Sequence, residues 1–271
     1  MPIARLSSGI DCYYEVGGEG EALLLIMGTS SDHCFWDGQR PAYEPFYRTI
    51  VYDARGTGQS SQPDNVEGYT TAVLADDAAA LLDALSIKRA HVSGISLGSA
   101  TAQELCLRHP EKVGTLQLHG TWGAKEQWFH YVIDQLKYPI EHEDREGFAR
   151  AVIPWVLSPS AVNDPPAHSE FWKSLTTHPH VSSFKGILGH IHADQTHHTI
   201  DRLGMIRVPT LITTGELDWQ VPTRLGMAVH HAIPHSELHI FRGPHSSHAA
   251  FSEMVGEFNR VTLDWLQKHS L

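Results

Sequence analysis

Gly94-Ile95-Ser96-Leu97-Gly98 sets a serine between two glycines, where an apolar run, Ala90–Ile95, meets a helical pattern, Gly98–His109. The spacing predicts a sharp strand-to-helix turn that pushes the hydroxyl forward at strained backbone angles. Glycines two residues to either side remove the side chains that would hold strand and helix apart. Ser99 and Ala100 continue the run of small residues. A serine hydroxyl is a weak nucleophile near neutral pH and needs a base within hydrogen-bond reach, itself oriented by an acid. In this strand-turn-helix setting the acid and then the histidine follow at the ends of later strands. Gly215-Glu216-Leu217-Asp218 comes after the predicted strand Pro209–Thr214 and before Pro222, which opens a helix. Asp218 is the candidate acid, and Glu216, expected to face outward, is its rival. After the last predicted strand stands Phe241-Arg242-Gly243-Pro244-His245-Ser246-Ser247-His248. Two histidines compete there; His248 is the preferred base, and His245 is left to packing or to the pocket wall.

These residues need a frame that brings distant segments together. Ala4–Leu6 and Asp11–Glu15 predict an opening hairpin, and Ala22–Met27, ended by Gly28, reads as a strand buried on both faces. Arg48–Tyr52, Ala90–Ile95 and Val113–His119 are further strands, with a helix over Thr71–Leu85 between the first two of these. Strand–helix alternation resumes with Pro209–Thr214, Pro222–Ile233, Glu237–Phe241 and Phe251–His269. The pattern predicts an α/β fold: a mostly parallel central sheet with helices on both faces. Trp122 to about Leu203 breaks the rhythm. This stretch is rich in Trp, His and Pro, with helical pieces at Trp128–Leu136 and Glu146–Leu157, and Pro159, Pro165, Pro166 and Pro179 are expected to break it up. One domain made of 1–121 and 204–271, carrying 122–203 as a helical cap inserted after the sixth strand, accounts for both patterns.

Composition narrows the function classes. The 271 residues include 31 acidic and 20 basic side chains, a formal charge of -11, so nucleic acid and anionic membrane surfaces are poor partners. No apolar run reaches the length of a signal peptide or a membrane span, and a cytoplasmic location is expected. The three cysteines, Cys12, Cys34 and Cys106, fit no zinc or redox spacing and read as free thiols.

Taken together, Gly28-Thr29, Asp53-x-Arg55-Gly56-x-Gly58-x-Ser60, the Ser96 turn, Gly215-x-x-Asp218, and His248 with Glu253 and Phe258-Asn259 resemble the α/β-hydrolase fold family over nearly the whole chain. Within it the sequence is most similar to small bacterial carboxylester hydrolases, including 3-oxoadipate enol-lactonases, with a secondary likeness to the C–C hydrolases of aromatic degradation. The resemblance implies an oxyanion hole built from the backbone N–H groups of Leu97 and Thr29, with Ser30 as the alternative to Thr29. Met27 replaces the histidine that commonly precedes the oxyanion-loop glycine. Ile95 stands where C–C hydrolases usually carry Asn, which counts against that branch, and Ser96 argues against the branches with an Asp nucleophile. The Asp53–Ser60 turn reads as structural, with Arg55 tying loops together.

Trp122, Trp128, Trp155 and Trp172, with Trp36 after the oxyanion loop and Trp219 after Asp218, suggest an apolar, partly aromatic pocket beneath the cap, which Ser30 and His245 would also line. His178-x-His180, His190-x-His192 and His197-His198 have metal-ligand spacing but no accompanying carboxylate or thiolate cluster; they read as solvated histidines, and neither metal nor cofactor is expected. The expected activity is serine-dependent hydrolysis of a small ester or lactone substrate. The alternatives are a ligand receptor on the same fold, a C–C bond hydrolase, and a cofactor-free oxygenase or perhydrolase.

Overall fold

The computed structural model describes residues 2–124 and 126–271. Eight strands form one sheet: β1 (Ile3–Arg5), β2 (Asp11–Gly17), β3 (Glu21–Ile26), β4 (Tyr47–Tyr52), β5 (Ala90–Ile95), β6 (Val113–His119), β7 (Thr210–Gly215) and β8 (Glu237–Phe241). Their order is β1-β2-β4-β3-β5-β6-β7-β8; β1 and β2 run antiparallel to their neighbours and the rest are parallel. The helices are α1 (Arg40–Tyr43), α2 (Thr71–Ala84), α3 (Leu97–Arg108), α4 (Gln127–Glu141), α5 (Arg145–Val156), α6 (Pro159–Val162), α7 (Pro165–Thr176), α8 (Phe184–Thr196), α9 (Thr223–Ala232), α10 (Ala250–Glu253) and α11 (Val255–Leu266). None of the described helices is long and apolar enough to cross a membrane.

The apolar run of β3 explains the layers. Leu23 and Leu25 point to one face, where they join Val51, Ile95, Phe258 and Trp265 of α11, and Phe129 and Ile133 of α4. Leu24 and Ile26 point to the other, against Ile50, Val92, Leu81 and Leu82 of α2, and Leu105 of α3. Alternate side chains thus enter two different cores, as a central parallel strand requires. All the main strands fall where the periodicity predicts them.

The segment between β6 and β7 departs from expectation. Pro159 and Pro165 do not interrupt helices; they occupy the first position of α6 and α7, where the missing N–H would have had no partner anyway. The run read as a crowd of histidines is largely one helix, α8, whose Ser183 accepts the Gly186 N–H as an N-cap. The expected terminal helix from Phe251 is two, divided at Met254.

The histidine expectation needs correction too. His190 and His197 are fully buried, not solvated, as is His119 in β6. Burial pushes their pKa values down from 6.5, to about 3 for His119, about 4 for His190 and about 3 for His197. Each is neutral in the fold and charges on unfolding, so its stabilisation is complete above pH 6.5 and is lost as pH falls toward the folded values. Asp194 opposes this, because burial raises its carboxyl to about 7. Between about pH 4 and 6.5 three histidines favour the unfolded state against one carboxyl favouring the folded one. The melting temperature should therefore fall as pH drops from 7 to 5; calorimetry showing a flat or rising melting temperature over that range would contradict this.

Candidate active site

The turn after β5 has the strain the spacing predicts. Ser96 sits at φ 55° and ψ -122°, a region that residues with side chains rarely adopt. A Cβ on Gly98 would collide with the Ile26 carbonyl of β3, and one on Gly94 with the Gly98 carbonyl. Only bare backbone at both positions lets α3 start this close to the sheet. The Ser96 N–H donates to the His119 carbonyl at 2.9 Å, and the Ser96 carbonyl accepts from the Ser99 N–H at 2.8 Å and the Ser99 hydroxyl at 2.6 Å. The serine is therefore locked at the carboxyl end of β5, beside the end of β6.

His248 comes to the neighbouring strand end, although among the described residues the Ser96 hydroxyl makes no hydrogen bond to its ring. Its ring lies against Gly120, the residue after β6, at φ 55°; a Cβ there would stand 3.0 Å from His248 Cε1. His248 Nδ1 pairs with Asp218 Oδ2 at 2.8 Å, and Asp218 Oδ1 accepts the Val221 N–H at 2.7 Å. Both side chains are almost fully buried. The Leu217 N–H donates to the Ser246 carbonyl at 2.9 Å, so the loop holding the acid and the loop holding the base are joined directly. His245 is elsewhere: its half-exposed ring meets Glu253 at 3.3 Å. Glu216 also points away, its carboxylate bonded to Arg242 at 2.7 Å.

Among the described residues the N–H groups of Leu97 and Thr29 have no hydrogen-bond partner. Ser30 differs. Its N–H donates to His190 Nδ1 at 3.2 Å, its carbonyl accepts from the Ser182 hydroxyl at 3.0 Å, and its φ is 60°. The Ser30 N–H is already engaged, which removes it as the alternative to Thr29. His190 Nε2 donates to the Arg55 carbonyl at 2.8 Å, and the low pKa keeps the ring neutral with Nδ1 as acceptor. The Thr29 hydroxyl donates to Asp194 Oδ2 at 2.7 Å. One helix, α8, thus grips both Thr29 and Ser30.

Residues 21–251 match the family model described as the alpha/beta hydrolase fold. The chain belongs to the α/β-hydrolase family. It is 30% identical over 265 residues to RutD of Variovorax paradoxus, named as a proposed carbamate hydrolase, covering 95% of this chain and 97% of that protein. It is 28% identical over 267 residues to a 2-hydroxy-6-oxononadienedioate/2-hydroxy-6-oxononatrienedioate hydrolase of Paraburkholderia xenovorans, covering 95% and 91%. Among solved structures, the enol-lactonase of Burkholderia xenovorans shares the fold, with a TM-score of 0.88 at 24% identity over 98% of this chain and 100% of that one.

The tryptophans of this α/β-hydrolase do not form a common roof. Trp36 and Trp122 are fully buried in the core, Trp122 against Phe129 and His197. Trp172 is half-buried, packed on the edge of the core under Arg150. Trp128, Trp155 and Trp219 gather instead around an open groove of about 530 Å³ on the Asp218 side, walled also by Pro222 and Arg224. Arg55, expected to tie loops, instead fastens its turn to helix α2, with two bonds to Asp77 at 2.5 and 2.7 Å. Asp32, His33 and Cys34 bring metal-ligand atoms within 4.8 Å of one another. His33, however, faces Asp53 at 2.7 Å and Glu15 at 3.3 Å; burial works to lower its pKa, but the Asp53 and Cys34 contacts raise it to about 10.

Sequence reasoning missed His190 and Asp194 as residues of this site. Their spacing of four puts them on one face of a helix, a signal hidden by reading His190-x-His192 as a pair. The clamp on Ser30 makes a testable claim. His190→Ala should fold and lower turnover by about ten- to a hundredfold, somewhat less than removal of an oxyanion donor itself. His190→Asn, whose carbonyl replaces the Nδ1 acceptor, should recover most of the loss. Equal kcat for wild type and the alanine variant in steady-state assays would contradict the clamp.

Proposed function

We propose that the protein is a serine hydrolase that cleaves a small carboxylic ester or lactone through an acyl-enzyme, with Ser96, His248 and Asp218 as its triad and the Leu97 and Thr29 N–H groups as its oxyanion hole. The observation that carries this reading is the His248–Asp218 pair at 2.8 Å beside a strained serine whose neighbouring N–H groups are unpartnered. With Nδ1 donating to Asp218, Nε2 is the acceptor for the Ser96 proton. The Ser96 oxygen bonds to the substrate carbonyl carbon, and the oxyanion that forms is held by the two N–H groups. His248 then protonates the departing alkoxide, leaving Ser96 acylated. Water, losing its proton to Nε2, attacks the acyl carbon; Ser96 leaves as alkoxide and takes that proton back, and the acid is released.

Asp218 holds the imidazole in the required tautomer and stabilises the imidazolium formed in each half-reaction. In this reading the helices α4 to α8 of the 122–203 segment act as a cap over Ser96, which is 9% exposed, and the tryptophan groove beside Asp218 offers an apolar surface to the substrate. A compact substrate follows from that covering, and an acidic surface gives anionic substrates no long-range help. The relatives named for a carbamate and for a 2-hydroxy-6-oxo acid are supportive in that both names end in hydrolysis. Ile95 before the nucleophile favours ester cleavage over C–C cleavage. A ligand receptor with residual hydrolysis on the same residues would show a single-turnover burst.

On p-nitrophenyl acetate the protein should turn over many times. Ser96→Ala and His248→Ala should each reduce kcat by at least ~10³-fold with the fold intact, whereas His245→Ala should stay within about fivefold of wild type. Near-normal hydrolysis by the Ser96 variant would sink the serine mechanism. Across p-nitrophenyl esters of increasing acyl length, kcat/KM should peak among short to medium chains; a steady rise to the longest chain would refute the covered site.

A further inference from the structure

Asp194 is the one carboxyl on α8 that turns inward, and only half of it is used. Its Oδ2 accepts the Thr29 hydroxyl at 2.7 Å, while its Oδ1 is buried with no hydrogen-bond partner among the described residues. The residue is 3% exposed. Burial raises the carboxyl to about 7, against the lowering pull of the Thr29 hydrogen bond and of His248 across the site. An unsatisfied oxygen in a buried carboxyl costs roughly 1–3 kcal/mol or more, and a fold that retains one calls for a reason. Structural anchoring of Thr29 would need one oxygen and is served equally well by a neutral amide. What distinguishes a carboxylate is a second acceptor, and its place is informative: its other oxygen holds the Thr29 hydroxyl, and Gly28, the residue before Thr29, packs against the Ser96 side chain. The proposed mechanism puts the substrate carbonyl beside Thr29 and Ser96.

We propose that Asp194 is a specificity-determining residue, whose free oxygen accepts a hydrogen bond from an N–H or O–H group carried by the substrate next to the carbonyl under attack. The proposal rests on the reading of Ser96 as the nucleophile. Its substrate class is narrower than small esters in general: α-hydroxy or α-amino acyl esters and lactones, or acyl groups with an adjacent amide N–H. A site that leaves a buried acceptor open discriminates strongly against a substrate that cannot fill it, because the unfilled complex keeps the desolvation cost without the bond.

The test compares methyl lactate, methyl 2-methoxypropanoate and methyl propanoate in a pH-stat at pH 8.5, where Asp194 is ionised, using wild type, Asp194→Asn and Ser96→Ala. The first two esters differ by the donor hydrogen and one methyl group; the third has neither donor nor oxygen. Wild type should favour methyl lactate over each of the others by about tenfold or more in kcat/KM. In Asp194→Asn, whose amide oxygen keeps the Thr29 contact and turns an N–H donor to the open position, that preference should vanish and the methoxy ester should gain. Methyl lactate turned over no faster than the other two by wild type, or the same ratios in wild type and the Asn variant, would overturn the role of Asp194. The wild-type comparison decides the matter even if the variant fails to fold. Loss of all hydrolysis in Ser96→Ala separates that failure from failure of the nucleophile assignment, which would show as activity retained in the Ser96 variant.

Discussion

The backbone-to-backbone approach of α3 onto the sheet is the constraint on which the site depends. Gly98 lies against the Ile26 carbonyl and Gly94 against the Gly98 carbonyl, and any Cβ there would push the helix outward. A strained non-glycine residue such as Ser96 costs of order 1–3 kcal/mol and persists only where its surroundings over-determine it. Here they do so through the bond to His119, the double contact from Ser99, and the packing of β5 in the middle of the sheet. The strain projects the hydroxyl to the end of β5, beside the Gly120 gap that admits the His248 ring. Three strand ends, β5, β6 and β7, thereby supply Ser96, the space for the His248 ring and the turn that holds Asp218, the three residues of the proposed triad.

A second dependency runs through the helices between β6 and β7. Ser182, His190 and Asp194 each bond to Thr29 or Ser30, so the oxyanion loop takes its shape from that segment as much as from β3. On the other side, Glu253 accepts from the Ser247 hydroxyl and from the Ser158 N–H at 2.8 Å, and the Ala249 N–H reaches the Val156 carbonyl. The loop carrying His248 is thus fastened to the end of α5. A helical segment tied both to Thr29 and Ser30 and to the His248 loop would, under the proposed function, join substrate covering and catalytic geometry in one structure. Exchange of this segment between relatives would alter the site itself and not only its lid.

The sheet was legible in the sequence because its strands are buried and short, and their apolar runs are cut off by glycine or acidic turns, as at Gly28 and Asp53. The residues at Ser96, Asp218 and His248 were legible for a related reason: each sits on a turn whose glycines or strand end mark it. The segment 122–203 resisted reading because two of its helices, α6 and α7, start with prolines, which look like breaks, and because polar residues such as His190 and Asp194 are buried by contacts from far along the chain. His190 is typical. Nothing local distinguishes it from His192, yet its partners are Ser30 and Arg55, more than a hundred residues earlier. The tryptophans illustrate the converse: their number pointed to an aromatic pocket, but burial divides them between the core or its edge and the groove.

The most direct test of the account is covalent labelling by a small alkyl fluorophosphonate, followed by peptide mapping in wild type and in His248→Ala. The account predicts a single adduct, on Ser96, formed at least ~10³-fold more slowly in the His248 variant, because the hydroxyl then lacks its base. An adduct on another residue, or Ser96 labelling at an unchanged rate without His248, would contradict it.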